Sequence, residues 1–161
     1  MQIGIGYDIH RLVNERKLVL GGVEIKHTKG LLGHSDADVL LHAIGDAILG
    51  SISAGDIGTH FPNTDPKYEG ISSLKLLEKI ADILGKSGNH IVNIDSVIIA
   101  EEPKLVPYMA VMRQNISNVL GILSENVSIK ATTNEQVGSI GSGEAIAAYA
   151  IVLVESIHRD I

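Results

Sequence analysis

The feature that most constrains the fold is a strict two-residue alternation near the start of the sequence. Between residues 3 and 10, large apolar side chains alternate with Gly4, Gly6, Asp8 and His10. This period predicts a half-buried β-strand. Successive side chains of a strand point to opposite faces, so Asp8 and His10 share a face. The other positions on that face are glycines, which leave the space beside the carboxylate and the imidazole unfilled.

The remaining sequence predicts three helices and further strands around them. We expect helices over 36–49, capped by Ser35, from Ser72 or Ser73 to Gly85 or Gly88, and over 108–120 after Pro107. We expect extended segments over 17–25, bent at Gly21–Gly22, and over 91–100, 127–132 and 145–154. A long loop is predicted over 53–70, and a glycine-rich loop between the last two strands. This order favours an α+β fold of two layers, with helices on one face of a largely antiparallel sheet. The length of 161 residues predicts a single catalytic domain over 1–161.

Composition argues against several function classes. A formal net charge of −6 is the wrong sign for a nucleic-acid footprint. The sequence has no cysteine, so any transition metal must use histidine and carboxylate ligands. The first residues do not follow the pattern of a signal peptide, and no apolar run is long enough to span a membrane. We therefore expect a cytoplasmic protein with neither a nucleic-acid nor a membrane partner.

A third metal ligand is available on the first predicted helix. Asp38, His42 and Asp46 are four residues apart and share one stripe of that helix. A solvent-facing polar stripe would also explain them, as a surface contact would explain Asp8 beside His10. The alternative is a zinc site of Asp8, His10 and His42 with one position open to substrate. Asp38 or Asp46 would then orient an imidazole.

Two further segments suit a phosphate-bearing substrate. Residues 33–36 lie where the predicted helix begins, and free N–H groups at a helix start favour anions, although Ser35 is equally a plain cap. Residues 130–135 place two threonines and Glu135 at a strand end, which suits phosphate and magnesium. Threonine and asparagine are also common in turns. Asp56 could bind a substrate hydroxyl or simply shape a turn, and Lys104 is open to the same two interpretations.

Five blocks occur in order between residues 6 and 138: GYDIHRL, GLLGHSDADVLLHAIGDAILG, GDIGTHFPNTDP, IIAEEPKLVPYM and VSIKATTNEQVG. Together they resemble the 2-C-methyl-D-erythritol 2,4-cyclodiphosphate synthase family of the non-mevalonate isoprenoid pathway. The resemblance implies a homotrimer with active sites between subunits. It also implies an intramolecular phosphoryl transfer that releases CMP from 4-diphosphocytidyl-2-C-methyl-D-erythritol 2-phosphate.

The resemblance further implies roles for individual residues. Asp8, His10 and His42 match zinc ligands, and Glu135 matches the carboxylate that holds magnesium or manganese between the phosphates. His34 and Thr133 match catalytic positions, His34 within a phosphate-positioning segment. The implied substrate-binding residues include Asp8 and His10, with His34 and Ser35 in the phosphate-positioning segment. Asp56 and Gly58 match contacts to the methylerythritol part, and Asp65 lies in a mobile loop. The others are Ala100, Lys104, Leu105 and Val106 in a cytidine pocket, Ala131, Thr132 and Thr133 near the base and phosphates, and Glu135.

Two departures from the family pattern stand out. Many members carry an aromatic residue and an arginine that line a cavity on the trimer axis, whereas this chain has Ser139 and Ser142. This weighs against an axial isoprenoid diphosphate site. Asn63 stands where an acidic residue is frequent. Two other functions fit the residues: a metal-dependent phosphohydrolase that uses an activated water, and a non-catalytic trimeric module that binds metal or nucleotide.

Overall fold

The computed structural model describes residues 1–157. Its strands are β1 (Gln2–Asn14), β2 (Leu18–Leu20), β3 (Val23–Ile25), β4 (Lys29–Leu31), β5 (Asn89–Ile99), β6 (Val127–Thr132) and β7 (Ala145–Ser156). Its helices are α1 (Val39–Ser51), α2 (Ile57–His60), α3 (Ser73–Lys86), α4 (Met109–Leu120) and α5 (Gly138–Gly141), and three single 3₁₀ turns lie at Pro66–Tyr68, Val106–Tyr108 and Ser124–Asn126.

Five strands form one mixed sheet in the order β4-β1-β7-β5-β6. The β4–β1, β1–β7 and β7–β5 pairs are antiparallel, and β5–β6 is parallel. The parallel pair needs a crossover, which α4 provides, because parallel neighbours cannot be joined by a tight hairpin. The expected α+β fold with a largely antiparallel sheet is confirmed.

Two glycines allow α1 to lie directly on β1. A Cβ at Gly4 would come within 1.9 Å of the Ala47 carbonyl oxygen, and one at Gly6 within 1.9 Å of the Ala43 carbonyl oxygen. The helix backbone thus occupies the space that side chains would take, and α1 is buried along most of its length. Its aliphatic side chains join the core with those of β5, β7 and α3, including Ile44, Ile48, Leu77, Ile80, Ile94, Ile98 and Val152.

The opposite face of the sheet carries exposed apolar side chains. On β1, Ile3 and Ile5 are 69% and 68% exposed. On β7, Tyr149 and Ile151 are 45% and 44% exposed. Tyr7 stacks on Tyr149 with ring centroids 4.6 Å apart. We call this surface the open face, defined by Ile3, Ile5, Tyr7, Ile9, Tyr149 and Ile151.

The predicted start of the first helix is wrong. Helix α1 begins at Val39, and its cap is Asp38, whose carboxylate accepts from the Leu41 N–H. The same buried carboxylate accepts from the N–H groups of Gly21 and Gly22, at 3.0 and 2.7 Å. Both glycines have positive φ and form the turn between β2 and β3, so the expected bent segment is a hairpin. A carboxylate that joins two elements is a tertiary contact, which local capping preferences do not reveal.

Several other boundaries differ from the sequence expectation. The short strand β4 was not predicted, and the loop over 53–70 contains α2 and a 3₁₀ turn. The glycine-rich loop contains α5, and α4 begins at Met109 after a 3₁₀ turn that includes Pro107. The expected stop of α4 is confirmed, since Gly121 closes it in the left-handed conformation. Within residues 1–157, no helix is both long and apolar enough to cross a membrane.

Candidate metal centre and phosphate site

Asp8 and His10 of β1 come together with His42 of α1. Asp8 Oδ2 lies 2.9 Å from both His10 Nε2 and His42 Nδ1. The two imidazole nitrogens are 3.3 Å apart. Tetrahedral zinc with bonds of about 2.0 Å would separate its ligand atoms by about 3.3 Å. The three donor atoms are therefore nearly in place for a divalent metal.

The electrostatics of this cluster favour its charged form when no metal is bound. Burial alone would raise the pKa of Asp8, but hydrogen bonds from both imidazoles outweigh it and hold that pKa well below its usual range. Burial likewise opposes the charged form of His10, yet the Asp8 carboxylate raises the His10 pKa above its ordinary value. An anionic carboxylate flanked by two imidazoles is the donor set that zinc binds.

The outer nitrogen of each imidazole is also engaged. The Nδ1–H of His10 donates to the Leu32 carbonyl oxygen at 2.7 Å. His42 Nε2 lies 3.0 Å from Ser73 Oγ and 3.2 Å from Ser35 Oγ. Residues outside the ligand set thus fix the plane of both rings.

The predicted orienting role of Asp38 is wrong, and the contacts of Asp46 point elsewhere. The Asp38 carboxylate is taken up by backbone N–H groups and is fully buried, so it does not belong to a solvent-facing stripe. Asp46 accepts from the Ile57 N–H at 2.8 Å, which ties α1 to the start of α2. Burial raises the pKa of Asp46. Ser73 was noted in the sequence only as a possible helix cap, because its contact with His42 spans 31 residues.

The cluster opens into a cavity of about 610 Å³. This volume is within the usual range of small-molecule sites, about 300–1,000 Å³. Both polar and apolar side chains line the cavity. The lining comprises Asp8, His10, His42 and Asp46, the segment Gly33–Ser35, Ile57 and Gly58, Phe61 to Thr64, Tyr68 and Leu76.

The expectation that residues 33–36 form the start of a helix is wrong. Three residues separate Ser35 from α1, and the N–H groups that follow it are occupied: that of Ala37 donates to Ser35 Oγ and that of Asp38 to Asp36 Oδ1. His34 nevertheless lines the cavity, with its Nε2 3.4 Å from the Asp65 carbonyl oxygen. Anion contacts here would therefore come from side chains more than from a helix N-terminus.

Of the predicted loop residues Asp56, Gly58 and Asp65, Gly58 alone is among those that line the cavity. Gly58 lines the cavity, whereas Asp56 caps α2 and accepts from the Thr59 N–H and hydroxyl, both at 2.8 Å. Asp65 caps the 3₁₀ turn that follows and pairs with Lys67 at 2.7 Å.

A second group of predicted residues gathers at the far edge of the sheet. Thr133 Oγ1 donates to Glu135 Oε1 at 2.6 Å, and the Glu101 carboxylate accepts from the Asn134 and Gln136 N–H groups. The Ala100 N–H donates to the Thr132 carbonyl oxygen. The other members are buried Leu105 and exposed Lys104, Val106 and Ala131.

The two groups do not meet within one chain. In the sheet, Asp8 pairs with Ala148, Ala148 with Ile98, and Ile98 with Ala131. Three strand spacings of about 4.8 Å therefore place the metal cluster about 14 Å from the end of β6. Two metal ions acting on one phosphate group lie only about 3.5–4 Å apart.

The fold and the cluster define an α+β protein with a candidate divalent-metal site beside a substrate-sized cavity. The chain belongs to the YgbB family, whose model matches residues 1–155. It is 62% identical over 154 residues to the 2-C-methyl-D-erythritol 2,4-cyclodiphosphate synthase of Alkaliphilus metalliredigens, which covers 96% of this chain and 97% of the relative. The corresponding protein of Syntrophomonas wolfei is 57% identical and covers 96% and 99%.

Solved structures of similarly named proteins share the fold of this chain. A CDP-bound 2C-methyl-D-erythritol-2,4-cyclodiphosphate synthase superposes with a TM-score of 0.88 at 31% identity, covering 96% of this chain and all 100% of that one. The CDP complex of the Plasmodium falciparum protein gives 0.85 at 36% identity, covering 98% and 97%. The bifunctional IspDF of Campylobacter jejuni gives 0.93 at 39% identity, and the match covers 96% of this chain but 42% of that one.

Proposed function

We propose that the Asp8–His10–His42 cluster serves a cyclising phosphoryl transfer. The chain has the activity after which its relatives are named, 2-C-methyl-D-erythritol 2,4-cyclodiphosphate synthesis in the non-mevalonate pathway. In this reaction an oxygen of the 2-phosphate of 4-diphosphocytidyl-2-C-methyl-D-erythritol 2-phosphate bonds to the β-phosphorus. The bond from that phosphorus to the bridging oxygen breaks, and CMP leaves with the electron pair. The observation that carries this proposal is that the three residues of the ligand cluster line the cavity.

Asp8, His10 and His42 would hold zinc, since the donor types and the 3.3 Å between the imidazole nitrogens suit it. Bound there, zinc would supply positive charge that polarises the β-phosphate. The attacking phosphate is already an anion, so the chain's own residues need mainly to align the two phosphates and neutralise charge. His34 and Ser35 line the cavity next to the cluster and would orient the phosphates there.

Glu135 would hold magnesium or manganese, which would neutralise charge on the diphosphate, since these cations prefer one or two carboxylates together with phosphate oxygens. The short hydrogen bond from Thr133 restrains the Glu135 carboxylate, and Glu101 braces the loop that carries both residues. We assign Thr133 to the transferring phosphate. Residues Ala100, Lys104, Leu105, Val106, Ala131 and Thr132 would form the cytidine pocket, Asp56 and Gly58 would contact the methylerythritol part, and Asp65 would act from the mobile loop.

The metal cluster and the Glu135 loop lie about 14 Å apart within one chain. They would act on the same substrate if neighbouring subunits share each site. The open face supplies a surface for this, because large contiguous apolar surfaces on a soluble protein usually mark interfaces. Since the cluster and the Glu135 loop lie at opposite edges of the sheet, a cyclic arrangement would bring one subunit's cluster to the next subunit's loop. We therefore propose a homotrimer with sites between subunits.

We treat residues 1–161 as one catalytic domain, because a single apolar cluster runs through the described elements. We place the activity in the cytoplasm, where cytidine nucleotides are available. Small-angle scattering of the purified chain and fractionation of the source cells would test these assignments.

The test is to incubate the purified chain with the cytidyl substrate, zinc and magnesium, and to follow the products by phosphorus NMR. CMP and a cyclic diphosphate should appear together, and Asp8→Ala should abolish both. Asp82→Ala, an exposed acid on α3, is the control and should leave the rate unchanged. Inorganic phosphate in place of the cyclic product would indicate a phosphohydrolase. Binding without turnover would indicate a non-catalytic module.

A further inference from the structure

Ser73 contacts the His42 ring at the nitrogen that does not face Asp8. It is the first residue of α3 and is 1% exposed. Its Oγ lies 3.0 Å from His42 Nε2, the ring nitrogen opposite the one that faces Asp8. Whether that nitrogen carries a proton decides whether Nδ1 presents a lone pair to a metal.

The partner of Ser73 settles the direction of this hydrogen bond. Ser73 Oγ also lies 2.5 Å from Asp36 Oδ1, and an ionised carboxylate can only accept. The hydroxyl proton therefore points to Asp36, and a lone pair of Ser73 Oγ faces His42. The Ser73 N–H donates to Asp36 Oδ2 at 3.0 Å, so two bonds hold the carboxylate to the start of α3.

Ser35 contributes less to this arrangement. Its Oγ is 3.2 Å from His42 Nε2 and already accepts the Ala37 N–H. No carboxylate among the described contacts of Ser35 fixes the direction of its hydroxyl proton. Ser73 is the nearer of the two hydroxyls, and it donates its proton to Asp36 and not to His42.

We propose that Asp36 and Ser73 form a positioning relay that keeps a proton on His42 Nε2, so that Nδ1 gives up its proton and presents its lone pair when a metal binds. Such outer contacts fix the tautomer and raise the basicity of a ligating imidazole, and their loss typically weakens metal binding about 10- to 100-fold. His10 reaches the opposite tautomer through the Leu32 carbonyl. The relay rests on the proposed function, because it presumes that the cluster binds metal.

The test compares zinc affinity, measured by competition with a chromogenic chelator, in the intact chain and in Ser73→Ala. The variant should bind zinc about 10- to 100-fold more weakly. Ser72→Ala is the matched control: Ser72 precedes α3, makes no side-chain cap hydrogen bond, and should leave the affinity unchanged. Asp36→Asn keeps the side-chain shape but replaces the carboxylate that accepts from Ser73 with an amide, and should lie between the two. It also serves if Ser73→Ala does not fold.

A spectroscopic readout separates the relay from a merely structural effect. In zinc-loaded protein, the Nε2–H of His42 should give a downfield, slowly exchanging signal in a nitrogen–proton correlation spectrum, and Ser73→Ala should lose it. An unchanged affinity and signal in Ser73→Ala, with Asp8→Ala unable to bind zinc, would overturn the relay alone. A folded intact chain that binds no zinc would overturn the proposed function and the relay with it.

Discussion

The two faces of β1 are built from alternate residues of one strand, yet α1 covers one face and leaves the other exposed. Toward α1 the strand presents Gly4 and Gly6, then Asp8 and His10, and this face is covered or occupied by polar side chains. Away from α1 it presents Ile3, Ile5, Tyr7 and Ile9, which are 40–69% exposed. In most one-sided sheets the apolar residues face the core and the polar residues face water. Here the order is reversed.

The reversal shows what each face is for. Glycines let a helix approach closely enough for His42 of α1 to reach Asp8 of β1. The covered face is thus set by one close backbone approach and leaves little tolerance for added atoms. The open face is apolar because, in our proposal, other subunits cover it.

The largest expected effect comes from adding one methyl group to the covered face. In Gly6→Ala the new Cβ would lie 1.9 Å from the Ala43 carbonyl oxygen, and neither backbone can move independently. We expect a loss of at least about 4 kcal/mol of unfolding free energy or a failure to fold, measured by urea denaturation. Gly50→Ala, whose Cβ would meet its nearest atom at 3.9 Å, is the control and should be neutral or slightly stabilising. A Gly6→Ala protein of normal stability would disprove the close approach.

A charge on the open face should affect assembly more than folding. Ile5 is 68% exposed in the single chain, so Ile5→Asp buries no charge there. In a trimer the carboxylate would lie in an apolar interface, which is unfavourable for an unpaired charge. Light scattering should therefore show monomers that retain the secondary structure but not the activity. Leu123→Asp, at an exposed position after α4, should remain trimeric. If Ile5→Asp stayed trimeric and active, the open face would not be the interface.

A smaller effect is expected at the buried carboxylate beneath the covered face. Burial raises the pKa of Asp38 to about 6 from an ordinary value of 3.8. Between these two pH values the folded chain holds a proton that the unfolded chain has released, so stability falls as pH rises across the window. The fall is at most about 3 kcal/mol, from about 1.4 kcal/mol per pKa unit. Asp38→Asn should flatten this part of the stability profile in urea titrations, and an unchanged slope would contradict the assignment.

Local patterns in the sequence predict the main elements and offer the metal cluster as one alternative, beside a surface contact and a solvent-facing polar stripe. The alternation in β1 placed Asp8 beside His10, and the helical period placed His42 on a separate element, so the triad needed only one tertiary contact. The composition of the chain, without cysteine, limited the ligands to these types. The catalytic assignments came from the five family blocks and not from spacing.

What the sequence did not reveal depends on contacts between distant segments. Asp38 caps α1 in place of Ser35 because it also binds the Gly21–Gly22 turn. Ser73 reaches His42 across the start of α3, and no local pattern distinguishes such a serine from an ordinary cap. The exposed state of the isoleucines was equally hidden, because alternation defines two faces without saying which one a helix covers.

Subunit complementation tests the central claim most directly, that each site joins the cluster of one chain to the Glu135 loop of another. Asp8→Ala subunits lack the first half and Glu135→Gln subunits lack the second, so each protein alone should be inactive. When equal amounts are mixed and allowed to exchange subunits, about a quarter of the interfaces in random trimers should pair two intact halves. CMP release should recover to about that fraction of the unmodified rate. Mixed trimers that remain as inactive as their parents would contradict the claim.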